Sequence, residues 1–158
     1  MMFENIETIR KHGCKIGFTA STFDVMHAGH IEMLSKAKAQ CDYLVVGLLT
    51  NPTISRPETK EPPVQTILER FIQLQAVKYV DLIVPFDTEE DLETMIKLIK
   101  PDVRFVGEEY KGTKHTGWDL CPIVYNDRKH DWSSTNLRER LKANKKEIKF
   151  SSPSSLKD

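Results

Sequence analysis

Short runs rich in β-branched and aromatic residues alternate along this chain with longer segments of helical periodicity. The runs are "CKIGFTA" (14–20), "DYLVVGLL" (42–49), "VDLIVPF" (80–86), "DVRFVGE" (102–108) and "CPIVYND" (121–127). Between them, Ile31, Leu34, Ala37 and Cys41 recur at helical spacing in a segment from about His27 to Gln40. Ile67, Phe71, Leu74 and Val77 do the same between Gln65 and Lys78. The segment 88–100 is acidic at its start, lysine-bearing at its end and stopped by Pro101, as the helix dipole and proline's missing N–H require. A last helix is expected from 133–135 to about Asn144, and a short one before Gly13 with Ile6 and Ile9 on one side. The near-continuous apolar run at 42–49 predicts a strand covered on both faces. Strands alternating with helices predict a Rossmann-like, doubly wound parallel sheet with helices on both faces. Residues 1–144 are read as one domain whose first 13 residues form the N-terminal helix, and 145–158 as a polar tail expected to be flexible.

Several function classes are disfavoured. Lys plus Arg (23) equals Asp plus Glu (23), whereas general nucleic-acid and anionic-membrane binders carry a basic excess. Three widely spaced cysteines with no CxxC pair argue against a disulfide framework and for a reducing, cytoplasmic setting. No apolar signal core or membrane-length run is present in the sequence.

In doubly wound sheets, ligands sit beyond the carboxyl ends of the strands, so the polar residues just after each strand matter most. After the first comes "TFDVMHAGH". Neither GxGxxG nor GxxxxGK[ST] occurs. What stands there is HxGH at a helix start, where free N–H groups and the dipole favour an anion. Gly29 admits a close backbone approach, and His27 and His30 offer ring N–H donors to phosphate oxygens. After the second strand, the loop 50–64 holds four prolines with Arg56 and Lys60, and Arg70 follows on the next helix. A basic loop of that length can close over polyphosphate. After the fourth, Gly107 precedes Glu108 and Glu109, acceptors for ribose or base donors. After the fifth, Arg128 precedes a hydroxyl triplet, Ser133, Ser134 and Thr135, at another helix N-terminus. Two anion sites on one sheet point to a nucleotide or phospho-ester ligand. A zinc site needs further ligands, and no spacing motif joins His115 and His130 to the HxGH pair.

The sequence resembles the cytidylyltransferase-like nucleotidyltransferases, and among them the glycerol-3-phosphate cytidylyltransferases. "TFDVMHAGHIEMLSKAK" is similar to their TFD-x-x-H-x-GH-x-x-x-L signature, "ERFIQLQAVKYVDLIVPF" to their helix and strand around YVD, and "VGEEY" and "RKHDWSST" to two later motifs. The resemblance implies transfer of CMP from CTP to a small phosphorylated alcohol with release of pyrophosphate. It implies catalytic roles for His27, His30, Arg128 and Lys60. Nucleotide contacts are implied at Thr22, Phe23, Gly29, Gly107, Glu108, Ser133, Ser134 and Thr135, and acceptor contacts at Asp24, Arg70, Lys78 and Tyr110. A Mg²⁺ held mainly by the nucleotide phosphates, with no metal site built from the chain, and a homodimer are also implied. Two positions depart from the pattern: Ser21 replaces a glycine before Thr-Phe-Asp, and Lys78 replaces an arginine before YVD. Lysine lacks the bidentate fork, so both departures bear on the acceptor. The alternatives are adenylyl transfer from ATP to a sugar phosphate or flavin-type acceptor, and a non-catalytic nucleotide-binding module.

Overall fold

A computed structural model describes residues 2–127, 129 and 132–147. After helix α1 (Met2–Lys11), five strands alternate with helices: β1 (Ile16–Ser21), α2 (Ala28–Lys38), β2 (Tyr43–Leu49), α3 (Ile67–Gln75), β3 (Leu82–Phe86), α4 (Glu89–Ile99), β4 (Val103–Gly107), β5 (Ile123–Asn126) and α5 (Ser134–Glu147). A 3₁₀ turn at Glu108–Tyr110 follows β4. All strand pairs are parallel, in the order β3-β2-β1-β4-β5. The chain therefore winds outward from β1 to β3 and returns to the other side of β1, which opens a crevice at the carboxyl ends of β1 and β4. This is the Rossmann-like α/β architecture expected from the alternation.

Three aspartates pin the parallel register at the amino ends. Each stands immediately before a strand and accepts a backbone N–H from the neighbouring chain segment: Asp42 from Lys15 (2.6 Å), Asp81 from Leu44 (2.7 Å) and Asp102 from Ile16 (2.7 Å). These N–H groups lie at strand starts, where the ladder offers no partner, and a carboxylate satisfies them with a charge-assisted bond.

Side chains along the strands alternate between two cores. Phe18, Val45, Leu49 and Phe86 pack with Ile96 and Ile99 of α4. Leu44, Val46, Val103 and Phe105 pack on the opposite face with Leu34 of α2 and Leu74 of α3. Pro85 sits in β3, an edge strand, where its missing N–H interrupts no ladder.

The observed elements differ from the expected ones mainly at their ends. Helix α3 is shorter than 65–78. Thr66 and Glu69 form a reciprocal capping box at its start, and the helix closes at Ala76. Its buried face also differs: Ile67 is exposed, and Arg70 takes the inward position beside Leu74. Helix α4 ends in a left-handed Lys100 (φ 50°) before Pro101. Helix α5 continues to Glu147, past the expected end at Asn144, because Lys145, Lys146 and Glu147 are good helix formers. Residues 148–158 of the expected tail lie outside the described residues. Among the described residues no helix is long and apolar enough to cross a membrane.

Candidate functional site

The carboxyl ends of the strands frame a cleft of about 480 Å³. Its floor is the end of β1, and HxGH forms its central wall. His27 is the N-cap of α2: its extended backbone (φ −140°) leaves the helix, and its Nδ1 accepts the Gly29 N–H at 3.0 Å. The His27 N–H in turn donates to His30 Nδ1 at 3.3 Å. This is a capping box built from two imidazoles in place of the usual hydroxyl and carboxylate. It fixes the chemistry of both rings. With each Nδ1 accepting a backbone proton, the neutral ring carries its own proton on Nε2. The rings lie 4.0 Å apart with planes 35° off parallel, and both line the cleft. The HxGH pair thus offers two oriented donors at a helix N-terminus, whose dipole favours an anion.

Gly29 is required by space. A Cβ there would lie 2.8 Å from His27 Cε1 and 2.9 Å from the Trp132 carbonyl oxygen. The preceding loop is strained, because Phe23 (φ 51°) and Val25 (φ 48°) both occupy the left-handed region, at roughly 1–3 kcal/mol each. Phe23 is fully buried with its ring 5.4 Å from that of His30. It supports the site from beneath and does not line the cleft.

Asp24, between those two strained residues, is 6% exposed and anchors them. Its carboxylate accepts the N–H groups of Val64 (2.8 Å) and Gln65 (2.9 Å) and pairs with Arg138 of α5. Its backbone oxygen accepts from Ser134 Oγ at 2.9 Å. Arg70 is 1% exposed, and its guanidinium donates to the carbonyls of Gln65, Thr22, Leu49 and Thr50. Burial pushes its pKa below the ordinary arginine value. Asp24 and Arg70 were expected to touch the acceptor. The structure corrects this: both are turned into the protein, where they tie the ends of β1, β2 and the 50–65 loop together. Lys78 is also displaced from the expected role, since its ammonium lies over the Tyr79 ring at 5.2 Å, outside the cleft lining.

The other expected residues divide as follows. Thr22, Gly107, Tyr110, Ser133, Ser134, Thr135 and Lys60 line the cleft. Glu108 does not, and its neighbour Glu109 does, because the 3₁₀ turn after β4 rotates successive side chains apart. Ser133 caps α5, accepting the Asn136 N–H at 3.0 Å. Arg128 lies outside the described residues. The loop 50–64 is folded by turns: Asn51 Oδ1 accepts from Thr53, and the Arg56 N–H donates to Pro52, which brings Arg56 and Lys60 to the cleft. Among the described residues no group of three His, Cys, Asp or Glu is placed to hold a metal ion.

Among the lining residues not foreseen as part of the site are Arg104 and His115. Arg104 stands in β4, between Val103 and Phe105, and its signal was a cation inside an otherwise apolar strand. His115 donates to or accepts from Tyr125 Oη at 3.1 Å. Burial, and then the charge of Arg104, pull its pKa below the ordinary histidine value.

Residues 18–152 match the cytidylyltransferase-like family. Among curated proteins, the bifunctional protein HldE of Caulobacter vibrioides is 38% identical over 141 residues, covering 86% of this chain and 29% of its own length. HldE of Campylobacter jejuni serotype O:6 is 34% identical over 143 residues, covering 90% and 31% respectively. The chain therefore spans less than a third of the length of these relatives. The fold is shared with solved structures. Pantoate-beta-alanine ligase of Francisella tularensis superposes with a TM-score of 0.62 at 20% identity, over 90% of this chain and 75% of that one. A lipopolysaccharide core biosynthesis protein of Thermoplasma volcanium gives 0.54 at 21%, over 84% and 90%.

Proposed function

The chain belongs to the cytidylyltransferase-like family, and from that premise we propose that it transfers an adenylyl group from ATP to the phosphate of a phosphorylated sugar, releasing pyrophosphate. Nucleotidyl transfer is the supported class. The HldE relatives favour the adenylyl and sugar-phosphate reading over CTP and glycerol phosphate. Ser21, which lines the cleft where the glycerol-phosphate pattern has a glycine, bears on the acceptor alone. The observation that carries the reading is the imidazole capping box, which presents two Nε2–H donors in a cleft at the crossover of the sheet.

In this reading an oxygen of the acceptor phosphate attacks the α-phosphorus. The bond to the bridging oxygen breaks, and pyrophosphate leaves with the electron pair. The acceptor dianion has no proton to lose, so the chain's task is positioning and charge neutralisation. The Nε2–H groups of His27 and His30 stabilise charge on the triphosphate oxygens, and Arg56 and Lys60 neutralise it from the loop side. Mg²⁺ is proposed from the family resemblance; it would be carried mainly by the triphosphate and would supply charge neutralisation there. A homodimer is also proposed, from the family resemblance. The test is pyrophosphate release with ATP and CTP, each against sugar 1-phosphates and glycerol 3-phosphate. Turnover is expected with ATP and a sugar phosphate. Turnover only with CTP and glycerol phosphate would reverse the assignment, and none with any pair would refute it.

A further inference from the structure

Arg104 is a cation set into the middle of a sheet. β4 lies between β1 and β5, and Arg104 is level with Phe18 on one side and Ile123 on the other. Because strand side chains alternate, its neighbours Val103 and Phe105 join the core on the α2 side and Arg104 faces the α4 side. It is 7% exposed. Room for the guanidinium is made by Gly117, at φ +74°, where a Cβ would lie 2.8 Å from Ile96 Cδ1 and 3.0 Å from Arg104 Nη1.

That setting leaves the charge under-compensated. Nη1 donates to the Thr116 carbonyl. Nε is buried and has no hydrogen-bond partner among the described residues, nor does any carboxylate among them form an ion pair with the group. Burial pushes its pKa down, and the attraction of Cys121, Glu89 and Tyr125, none of them an ion-pair contact, offsets that only in part. Next to Arg104, His115 Nδ1 is buried, with the Thr116 backbone its near polar neighbour. Both residues line the cleft, in a chamber whose other walls are Ala20, Phe86, Glu89 and Leu92. A buried guanidinium held by one carbonyl is costly unless an anion completes it. Its planar fork fits a phosphate or a carboxylate, and in a cleft read as taking a phosphorylated acceptor the anion at hand is a phosphate.

We propose that Arg104 is the acceptor-binding residue of this enzyme. It holds the phosphate of the phosphorylated acceptor in the α4-side chamber, with His115 as a second polar contact. The HxGH pair starts α2, on the opposite face of the sheet, where Thr19 Oγ1 points toward Met33. The triphosphate and the acceptor phosphate therefore reach the strand ends from opposite faces. They meet over Ala20, whose small side chain leaves the space open. One phosphate oxygen remains available to attack the α-phosphorus while the others face the cation. This inference rests on the proposed function, because it names the acceptor contact of the same cleft.

The first test needs no turnover. In a His27→Ala/His30→Ala protein, inorganic phosphate is titrated at constant ionic strength and the melting temperature is followed. A phosphate-dependent rise is expected, and adding Arg104→Met should abolish it. A rise that survives Arg104→Met, or no rise in the double variant, overturns the proposal. Without phosphate, Arg104→Met alone should melt at or above the parent, since it removes an under-compensated buried cation and keeps the apolar stem. A lower melting point with unchanged phosphate binding would make Arg104 structural. The second test is kinetic, with ATP and glucose 1-phosphate. Arg104→Met should raise the acceptor KM about tenfold or more and leave the ATP KM nearly unchanged, with partial rescue by Arg104→Lys. An equal rise in both KM values overturns it. A chain that binds phosphate through Arg104 but releases pyrophosphate with no substrate pair refutes the proposed function alone. An active chain in which Arg104→Met is silent refutes this inference alone.

Discussion

Replacing Arg70 by methionine separates a structural pin from a substrate contact. The guanidinium donates to four carbonyls: Gln65 at 3.2 Å, Thr22 at 2.9 Å, Leu49 at 2.7 Å, and Thr50. Bonds from a charged donor contribute about 1.5–3 kcal/mol each, so a naive sum is about 6–12 kcal/mol. That overshoots, because the wild type already pays to desolvate a guanidinium that is 1% exposed. The Thr22 carbonyl also stands at the cleft, where water can replace the lost donor. Breaking a buried charged network costs about 3–5 kcal/mol, which is a large share of the roughly 5–15 kcal/mol of a typical domain. At roughly 2–4 °C per kcal/mol for a chain of this size, the melting point should fall by about 6–20 °C. The assay is urea and thermal unfolding of Arg70→Met and Arg70→Lys. Lysine, lacking the fork, should recover only a minor part. Turnover should fall as well, because Thr22 and Leu49 end the two strands that present HxGH and the basic loop. A loss under about 1 kcal/mol combined with a raised acceptor KM would refute the reasoning and restore Arg70 as a direct contact.

Four other outcomes are expected. His27→Ala or His30→Ala should lower turnover by about 10²–10³-fold, with about 1 kcal/mol of stability lost with the cap; unchanged pyrophosphate release in either variant rejects its role. Gly29→Ala should cut turnover and lower the melting point, since the added Cβ meets the His27 ring and the Trp132 backbone carbonyl; wild-type kinetics would show that the loop yields freely. Asp24→Asn and Arg138→Met, combined in a double-mutant cycle of unfolding free energies, should show coupling of about 1–3 kcal/mol, and additive losses would remove the Asp24–Arg138 link. The folded state resists protonating His115, whose pKa is held below 6.5 by burial and by Arg104. Its contribution to stability is therefore present above pH 6.5 and lost as the pH falls toward the depressed value. His115→Asn should flatten that part of the melting-temperature profile between pH 7.5 and 5.5, and an unchanged slope would assign the acid sensitivity elsewhere.

Much of the site was legible because its logic is local. HxGH acts through a helix start, and a helix start is a matter of adjacent residues: His27 caps, Gly29 leaves room, and His30 answers three positions on. The hydroxyls at 133–135 are readable for the same reason. Arg70, Asp24 and Lys78 were less legible because a charged residue near a motif looks the same on paper whether it faces a ligand or the chain's own carbonyls. Arg70 spans 48 residues to reach Thr22, and Asp24 spans 114 to reach Arg138. Pairings of that separation depend on how the elements are docked.

The alternation of apolar runs and helices was sufficient for the parallel, doubly wound sheet, since parallel strands need crossovers and right-handed crossovers leave few arrangements. It also pointed to the strand ends, where the cleft lies. The order β3-β2-β1-β4-β5, and with it the side of the sheet that each strand residue faces, came from packing. Arg104 illustrates the difference. Its sequence context announces a cation in a buried strand and nothing more. Which face it occupies, that Gly117 makes its room, and that its Nε meets no partner among the described residues follow from three segments of the chain converging in space. Periodicity is carried by neighbours along the chain, whereas compensation of a buried charge is carried by neighbours across it.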